Sequence, residues 1–100
     1  MQFDGFDWDE GNLDKCRKHG VTVAEVEGVF TRAVTIAPDH AHSTRERRFI
    51  AIGRTEAERW VFLVFTWRRR DKRHLIRPTS ARFMHAREIS RYEEMPRPDE

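Results

Sequence analysis

Cysteine is nearly absent from this chain of 100 residues, with Cys16 the sole example. That scarcity excludes an internal disulfide framework and any metal site built from several thiolates, and it agrees with a reducing compartment. Long hydrophobic runs are missing too. The longest, Trp60-Val61-Phe62-Leu63-Val64-Phe65-Thr66-Trp67, spans eight residues with a polar one among them, far short of a membrane helix. The opening Met1-Gln2-Phe3-Asp4-Gly5 has neither the basic start nor the apolar stretch of a secretory signal, so a cytoplasmic location away from any membrane is expected. No internal repeat or low-complexity linker appears. A chain of this length makes one domain with a modest core, expected over 1–100 with 93–100 as a frayed tail.

Lysine is scarce where the positive charge concentrates. The net charge of +2 conceals an asymmetry: residues 1–44 hold four basic against eight acidic residues, 45–91 fourteen against five, and 92–100 one against four. Of the fourteen, all but Lys72 are arginine. The planar guanidinium fork matches phosphate and carboxylate geometry, so this block points to a polyanion or an acidic protein partner. A merely solvated charged face is the plainer alternative.

The elements follow from caps and periodicity. Asp9 to His19 fits a first helix, with acids at its start, Lys15, Arg17 and Lys18 at its end, and Gly20 as its stop. Thr22 and Glu25 form a capping box and Val21 and Val26 a hydrophobic staple, so a second helix starts at Val23, buries Val23, Val26, Val29 and Phe30, and makes a hairpin with the first. Val34-Thr35-Ile36 reads as a short strand ended by Pro38, and Asp39 to Thr44 as a loop. Arg47 to Gly53 is a strand, and Trp60 to Trp67 a central strand buried on both faces. Polar Arg54 to Arg59 and basic Arg68 to Arg73 are the turns of an antiparallel meander whose last strand surrounds His74 to Arg77. Pro78, unable to donate to a ladder, places that strand at an edge, bulged or ending. Thr79 or Ser80 then caps a third helix running to about Glu94. The plan is α+β: two helices, an antiparallel sheet of three to four strands, and a final helix.

On that last helix Arg82, His85 and Glu88 would share one face, which Tyr92 extends by a turn. Metal-free RNA cleavage needs such groups. A base must take the ribose 2′-hydroxyl proton, an acid must protonate the leaving 5′-oxygen, and a cation must hold the extra charge on phosphorus. His85 and Glu88 are candidates for base or acid, and Arg82 or Arg77 for the cation. Plainer readings stand beside these: His85 as a solvated side chain, Glu88 as a helix partner of Arg87 or Arg91, and Tyr92 as a core aromatic with its hydroxyl at the rim. For grip on RNA the candidates are Arg45, Arg48, Arg68, Arg70 and Arg73, with Lys18 and His19 bordering the site or serving the first helix's end. Trp60 and Trp67 read as core aromatics before base-stacking ones. Asp39, His40 and His42 lack the convergent ligands of a stable metal site, so neither metal nor other cofactor is expected.

Several motifs in order resemble a known family. Phe6-Asp7-Trp8-Asp9-Glu10-Gly11-Asn12, then Lys15-Cys16-Arg17-Lys18-His19-Gly20-Val21, is similar to the opening of BrnT-type toxins. Arg48-Phe49-Ile50-Ala51-Ile52-Gly53, the strand ending in Phe65-Thr66, and Ile76-Arg77-Pro78-Thr79-Ser80-Ala81-Arg82 followed by Glu88 and Tyr92-Glu93 resemble the remainder. The chain departs from the commoner pattern in a first helix one residue shorter between Trp8 and His19, and in Pro78. The resemblance implies a RelE-like fold, ribonuclease activity that inhibits translation, and a type II toxin–antitoxin pair. The implied partners are a cognate antitoxin, expected as a small ribbon-helix-helix protein with an acidic segment that forms a hetero-oligomer with the toxin, and an RNA substrate, ribosome-associated or free. A catalytically inactive module that binds a partner protein or nucleic acid on the same scaffold is the alternative.

Overall fold

The first two helices start where the sequence supplies a cap. In the computed structural model, which describes residues 2–42 and 45–95, helix α1 (Glu10–Arg17) follows Asp9, whose carboxylate accepts from the Asn12 N–H while the Asn12 side chain accepts from the Asp9 N–H at 2.7 Å. Reciprocal capping of this kind satisfies two of the four amides that a helix start leaves unpaired. Helix α2 (Val23–Phe30) begins at Thr22 with the expected Thr22–Glu25 box, and Val21 and Val26 are both buried. Gly20 turns the chain between them at φ +85°, a conformation that costs glycine little.

The sheet differs from the expected meander in number, direction and length of strands. Five strands, β1 (Gly5–Phe6), β2 (Val34–Pro38), β3 (Phe49–Arg54), β4 (Trp60–Arg70) and β5 (Arg73–Phe83), lie in the order β1-β5-β4-β3-β2. β2 to β5 are antiparallel neighbours, but β1 pairs parallel to β5 through Gly5 and Phe6 opposite Leu75 and Ile76. Two residues carry no periodicity, so β1 leaves no trace in the sequence pattern. Arg68, Arg69, Arg70 and Arg73, expected in a turn, stand inside strands, and only Asp71 and Lys72, at φ +51° and +69°, form the turn. Two successive positive φ values match the right-handed twist of a tight hairpin. His40–His42, expected as loop, form one 3-10 turn; the end of that expected loop, Ser43 and Thr44, lies outside the described residues.

Pro78 sits mid-strand, not at its end. β5 runs eleven residues and continues past Pro78 to Phe83, so Arg82 and Phe83 are strand residues. Pro78 faces Phe65 and Ser80 faces Val64, leaving Thr79 as an extra residue in a β-bulge. Beyond β1 that edge of β5 meets α1, where the buried Asn12 amide donates to the Pro78 carbonyl at 2.9 Å and to the Asp7 carbonyl at 2.8 Å. A missing proline N–H is tolerated because no strand pairs there. Asn12→Ala should cost about 2–3 kcal/mol, since two buried carbonyls lose their donor. A fall in urea midpoint at unchanged m-value would show it.

Helix α3 (Ala86–Glu94) starts well after the expected Thr79 or Ser80 cap, with His85 at the N-cap. Glu93 and Glu94 complete it, and the remainder of the expected tail, 96–100, lies outside the described residues. α1 and α2 pack mainly on the sheet and touch each other little. The core joins Val26, Val29 and Phe30 of α2 to Ala51, Val61, Leu63, Phe65 and Ile76 on one sheet face. β4 is not buried on both faces: Val61, Leu63 and Phe65 are, while Trp60, Phe62 and Val64, pointing the other way, are half-buried. Cys16 lies in this core, and burial pushes its thiol up to about 11, making it a packing residue rather than a reactive one.

Candidate functional site

The pleat sorts the arginines. Side chains alternate along β4, so Trp60, Phe62, Val64, Thr66, Arg68 and Arg70 share the face opposite the helical core. Their cross-strand partners on β5 are Arg82 opposite Phe62, Ser80 opposite Val64, Arg77 opposite Thr66 and Arg73 opposite Arg70. Arg77 and Arg82 are five residues apart and would point to opposite faces of a regular strand. The extra residue Thr79 reverses the phase between them, so Arg68, Arg70, Arg73, Arg77 and Arg82 all belong to one face.

Arg82 is the most firmly held of these. Its guanidinium lies 4.6 Å from the Phe62 ring centroid and makes two parallel hydrogen bonds, each 2.8 Å, to the two oxygens of Glu88. Such a fork-to-fork pair fixes the plane of the guanidinium as well as its position. The three groups expected on one helix face thus meet by another route: Arg82 comes from β5, His85 is the N-cap of α3, and Glu88 on its first turn reaches back to both. The His85 N–H donates to Glu88 at 3.0 Å, and the imidazole of His85 is exposed.

The Arg82 hydrogen bonds, followed by the His85 N–H, hold the Glu88 carboxyl down at about 2. A carboxylate depressed in the folded state contributes stability that is complete above its unfolded value, about 4.3, and is lost as pH falls toward 2. Docking of α3 should therefore weaken between about pH 4.5 and 2. The near-ultraviolet circular dichroism of Trp60 and Tyr92 should follow that titration, and Glu88→Gln should flatten it.

Tyr92 closes the other end of α3. Its ring meets Trp60 edge to face at 5.3 Å between centroids, and its hydroxyl hydrogen-bonds Thr35 on β2. Tyr92 is thus a half-buried anchor, with Trp60 on the open face and not in the main core. Trp67 packs on the core and stacks on His74 at 4.0 Å.

The acidic amino terminus folds onto the basic strands. Arg77 is bonded to Asp9 at 2.9 and 3.2 Å and lies 3.7 Å from Asp7, Arg70 lies 3.3 Å from Asp7, Arg73 reaches the Asp4 carbonyl, and Arg68 pairs with Glu46 at 3.1 Å. Arg77, only 17% exposed at its side chain, pins the start of α1 to β5, and its hydrogen bond holds Asp9 below the usual carboxylate range. Arg45 and Arg48 are exposed ahead of β3, while Lys18 and His19 lie exposed in the turn from α1 to α2, in the helical layer rather than on the arginine face. Arg54, not among the residues expected at the site, stands opposite Trp60 in register with its guanidinium 4.7 Å from that ring's centroid.

The family model for "Ribonuclease toxin, BrnT, of type II toxin-antitoxin system" matches residues 8–88. The chain belongs to the BrnT family. No curated protein gives a significant match. The matched span covers the Trp8–Asp9 start of α1, the whole meander and the Arg82–Glu88 pair. A BrnT toxin is the ribonuclease half of a type II pair, so a cognate antitoxin is its partner. No described helix of this BrnT chain is long and apolar enough to cross a membrane.

Proposed function

We propose that this BrnT chain is a RelE-like endoribonuclease that cuts RNA by metal-independent acid-base chemistry, and that it blocks translation by cutting messenger RNA in the cytoplasm. The observation that carries this reading is Arg82, planted on Phe62 and oriented by Glu88 beside the exposed His85. In the proposed step the ribose 2′-oxygen bonds to the adjacent phosphorus and the bond from phosphorus to the 5′-oxygen breaks. The products are a 2′,3′-cyclic phosphate and a 5′-hydroxyl. Arg82 steadies the added negative charge on the phosphorane.

Glu88 is poorly suited to be the base, because a carboxylate held near 2 has little affinity for a proton at neutral pH. It is a positioning residue for Arg82. His85 is the better candidate for the proton carrier, because it is exposed beside Arg82 and its imidazole can both accept and donate a proton. Tyr92 anchors α3, and Arg77 orders α1 and adds positive field. Arg45, Arg48, Arg68, Arg70 and Arg73 lend the surrounding surface its attraction for phosphate, with Lys18 and His19 at most peripheral.

The antitoxin, a small ribbon-helix-helix protein in this reading, would silence the enzyme in a hetero-oligomer by laying an acidic segment across the arginine face. Incubating the purified chain with RNA in excess chelator should yield cyclic-phosphate ends, and added antitoxin should suppress them. Intact RNA, with and without ribosomes, would instead favour a binding module that keeps the fold without the chemistry.

A further inference from the structure

A pocket of about 450 Å³ opens at Trp60, two positions along β4 from the Phe62 ring that carries Arg82, between the start of β2, the β3–β4 turn and α3. Its walls combine two aromatic rings, Trp60 and Tyr92, with Arg32, Arg54 and Glu58. Small-molecule sites join aromatic and apolar walls to a few polar groups that fix orientation, and this pocket has both kinds. Glu58 stands at φ +66°, where a non-glycine residue is uncommon. One of its oxygens accepts from Arg32 and the other from Arg54, both at 2.9 Å, and these contacts keep the carboxyl below its ordinary range. A carboxylate has about four acceptor sites, so each Glu58 oxygen retains a further one for a ligand.

We propose that this pocket is a nucleobase subsite that selects guanine next to the phosphate held by Arg82. Among the four RNA bases, guanine alone presents two adjacent N–H donors, N1–H and the 2-amino group, on its pairing edge, and they match the two oxygens of a carboxylate. The guanidinium of Arg54, held over the Trp60 ring, offers a stacking plane, as single-stranded RNA recognition commonly uses. Placement agrees. Glu88, which holds Arg82, and Tyr92, which lines the pocket, are four residues apart on one face of α3, about 6 Å along the helix axis. That step suits neighbouring nucleotides of an extended strand. The proposal rests on the ribonuclease reading for its biological use, but binding can be measured without cleavage.

The test is titration of the folded protein with guanosine, adenosine, cytidine and uridine monophosphates, read by Trp60 indole shifts in NMR spectra. Guanosine monophosphate should bind at least roughly tenfold more tightly than the others, the discrimination expected of a good two-point contact. In Glu58→Gln that preference should collapse while the circular dichroism spectrum is unchanged. Should Glu58→Gln unfold, Glu58→Asp serves instead, its shorter carboxylate reducing the preference. Equal binding of all four nucleotides, or a guanine preference that survives Glu58→Gln, overturns the subsite. Guanine-selective binding by a protein that leaves RNA intact would support the subsite and refute the nuclease; random RNA cleavage without nucleotide selectivity would do the reverse.

Discussion

Arg82→Ala should slow RNA cleavage by about 10²–10³-fold, the usual consequence of removing one preorganised charge stabiliser from a transition state. Two features make this the largest effect on activity. The guanidinium is fixed by Glu88 through two 2.8 Å bonds and by the Phe62 ring, so no reorganisation is needed as charge develops on phosphorus. The neighbouring arginines cannot easily replace it: Arg77 is engaged by Asp9 and Arg70 by Asp7. Arg82→Lys should recover only part of the rate, because an ammonium keeps the charge and loses the two-point geometry. Glu88→Gln should harm the rate less than Arg82→Ala, since it loosens the guanidinium without deleting it. Single-turnover cleavage of a short RNA would rank the three, with near-ultraviolet circular dichroism reporting whether α3 stays docked. Wild-type rates in a folded Arg82→Ala protein would remove Arg82 from the chemistry. Cells should also tolerate expression of the alanine form at levels where the parent stops growth.

Phe65→Ala should cost about 3–5 kcal/mol, a large share of the roughly 5–15 kcal/mol that holds a domain folded. Phe65 is fully buried and meets three rings: Phe30 edge-on at 5.4 Å, Phe49 stacked at 5.6 Å and Trp67 edge-on at 5.5 Å. It also faces Pro78 at the bulge, where a regular ladder is interrupted and neighbouring backbone has little freedom to collapse into a void. In thermal denaturation the midpoint should fall by roughly 15–30 °C. Phe65→Leu, closer in volume, should lose far less. A loss below about 1 kcal/mol for the alanine form would mean that the bulge relaxes into the cavity, contrary to the close packing expected of a core. Because the bulge also sets the phase of Arg82, a surviving Phe65→Ala fraction should cleave RNA more weakly than its folded population explains.

How much of this was legible beforehand differs by element. The Thr22–Glu25 box and the Val21–Val26 staple marked the start of α2 to the residue, an imperfect alternation marked β3 and a nearly unbroken apolar run marked β4, because each signal is local. The same local logic failed after Pro78. Thr79 and Ser80 look like helix caps and Arg82 to Tyr92 carries helical spacing, yet pairing with β4 kept residues through Phe83 in the strand and moved the cap to His85. Arg82 and Glu88 do meet, but across a strand end and a helix start rather than along one helix face. The charge asymmetry was visible, whereas its internal neutralisation was not: Asp7 lies 63 positions from Arg70 and Asp9 lies 68 positions from Arg77.

By itself the sequence determined the α+β class, two of the three helix starts, the central place of β4 in the sheet and, through its motifs, membership of the BrnT toxins. These rest on caps and periodicities that act over three or four residues, and on ordered motifs that survive without knowledge of contacts. Only the tertiary structure decided which arginines share a face. One inserted residue, Thr79, reverses every side chain that follows it in β5, and whether a residue is inserted depends on what the neighbouring strand pairs with. That choice is made by β4 and by Asn12, which lies far away along the chain, so no local pattern records it.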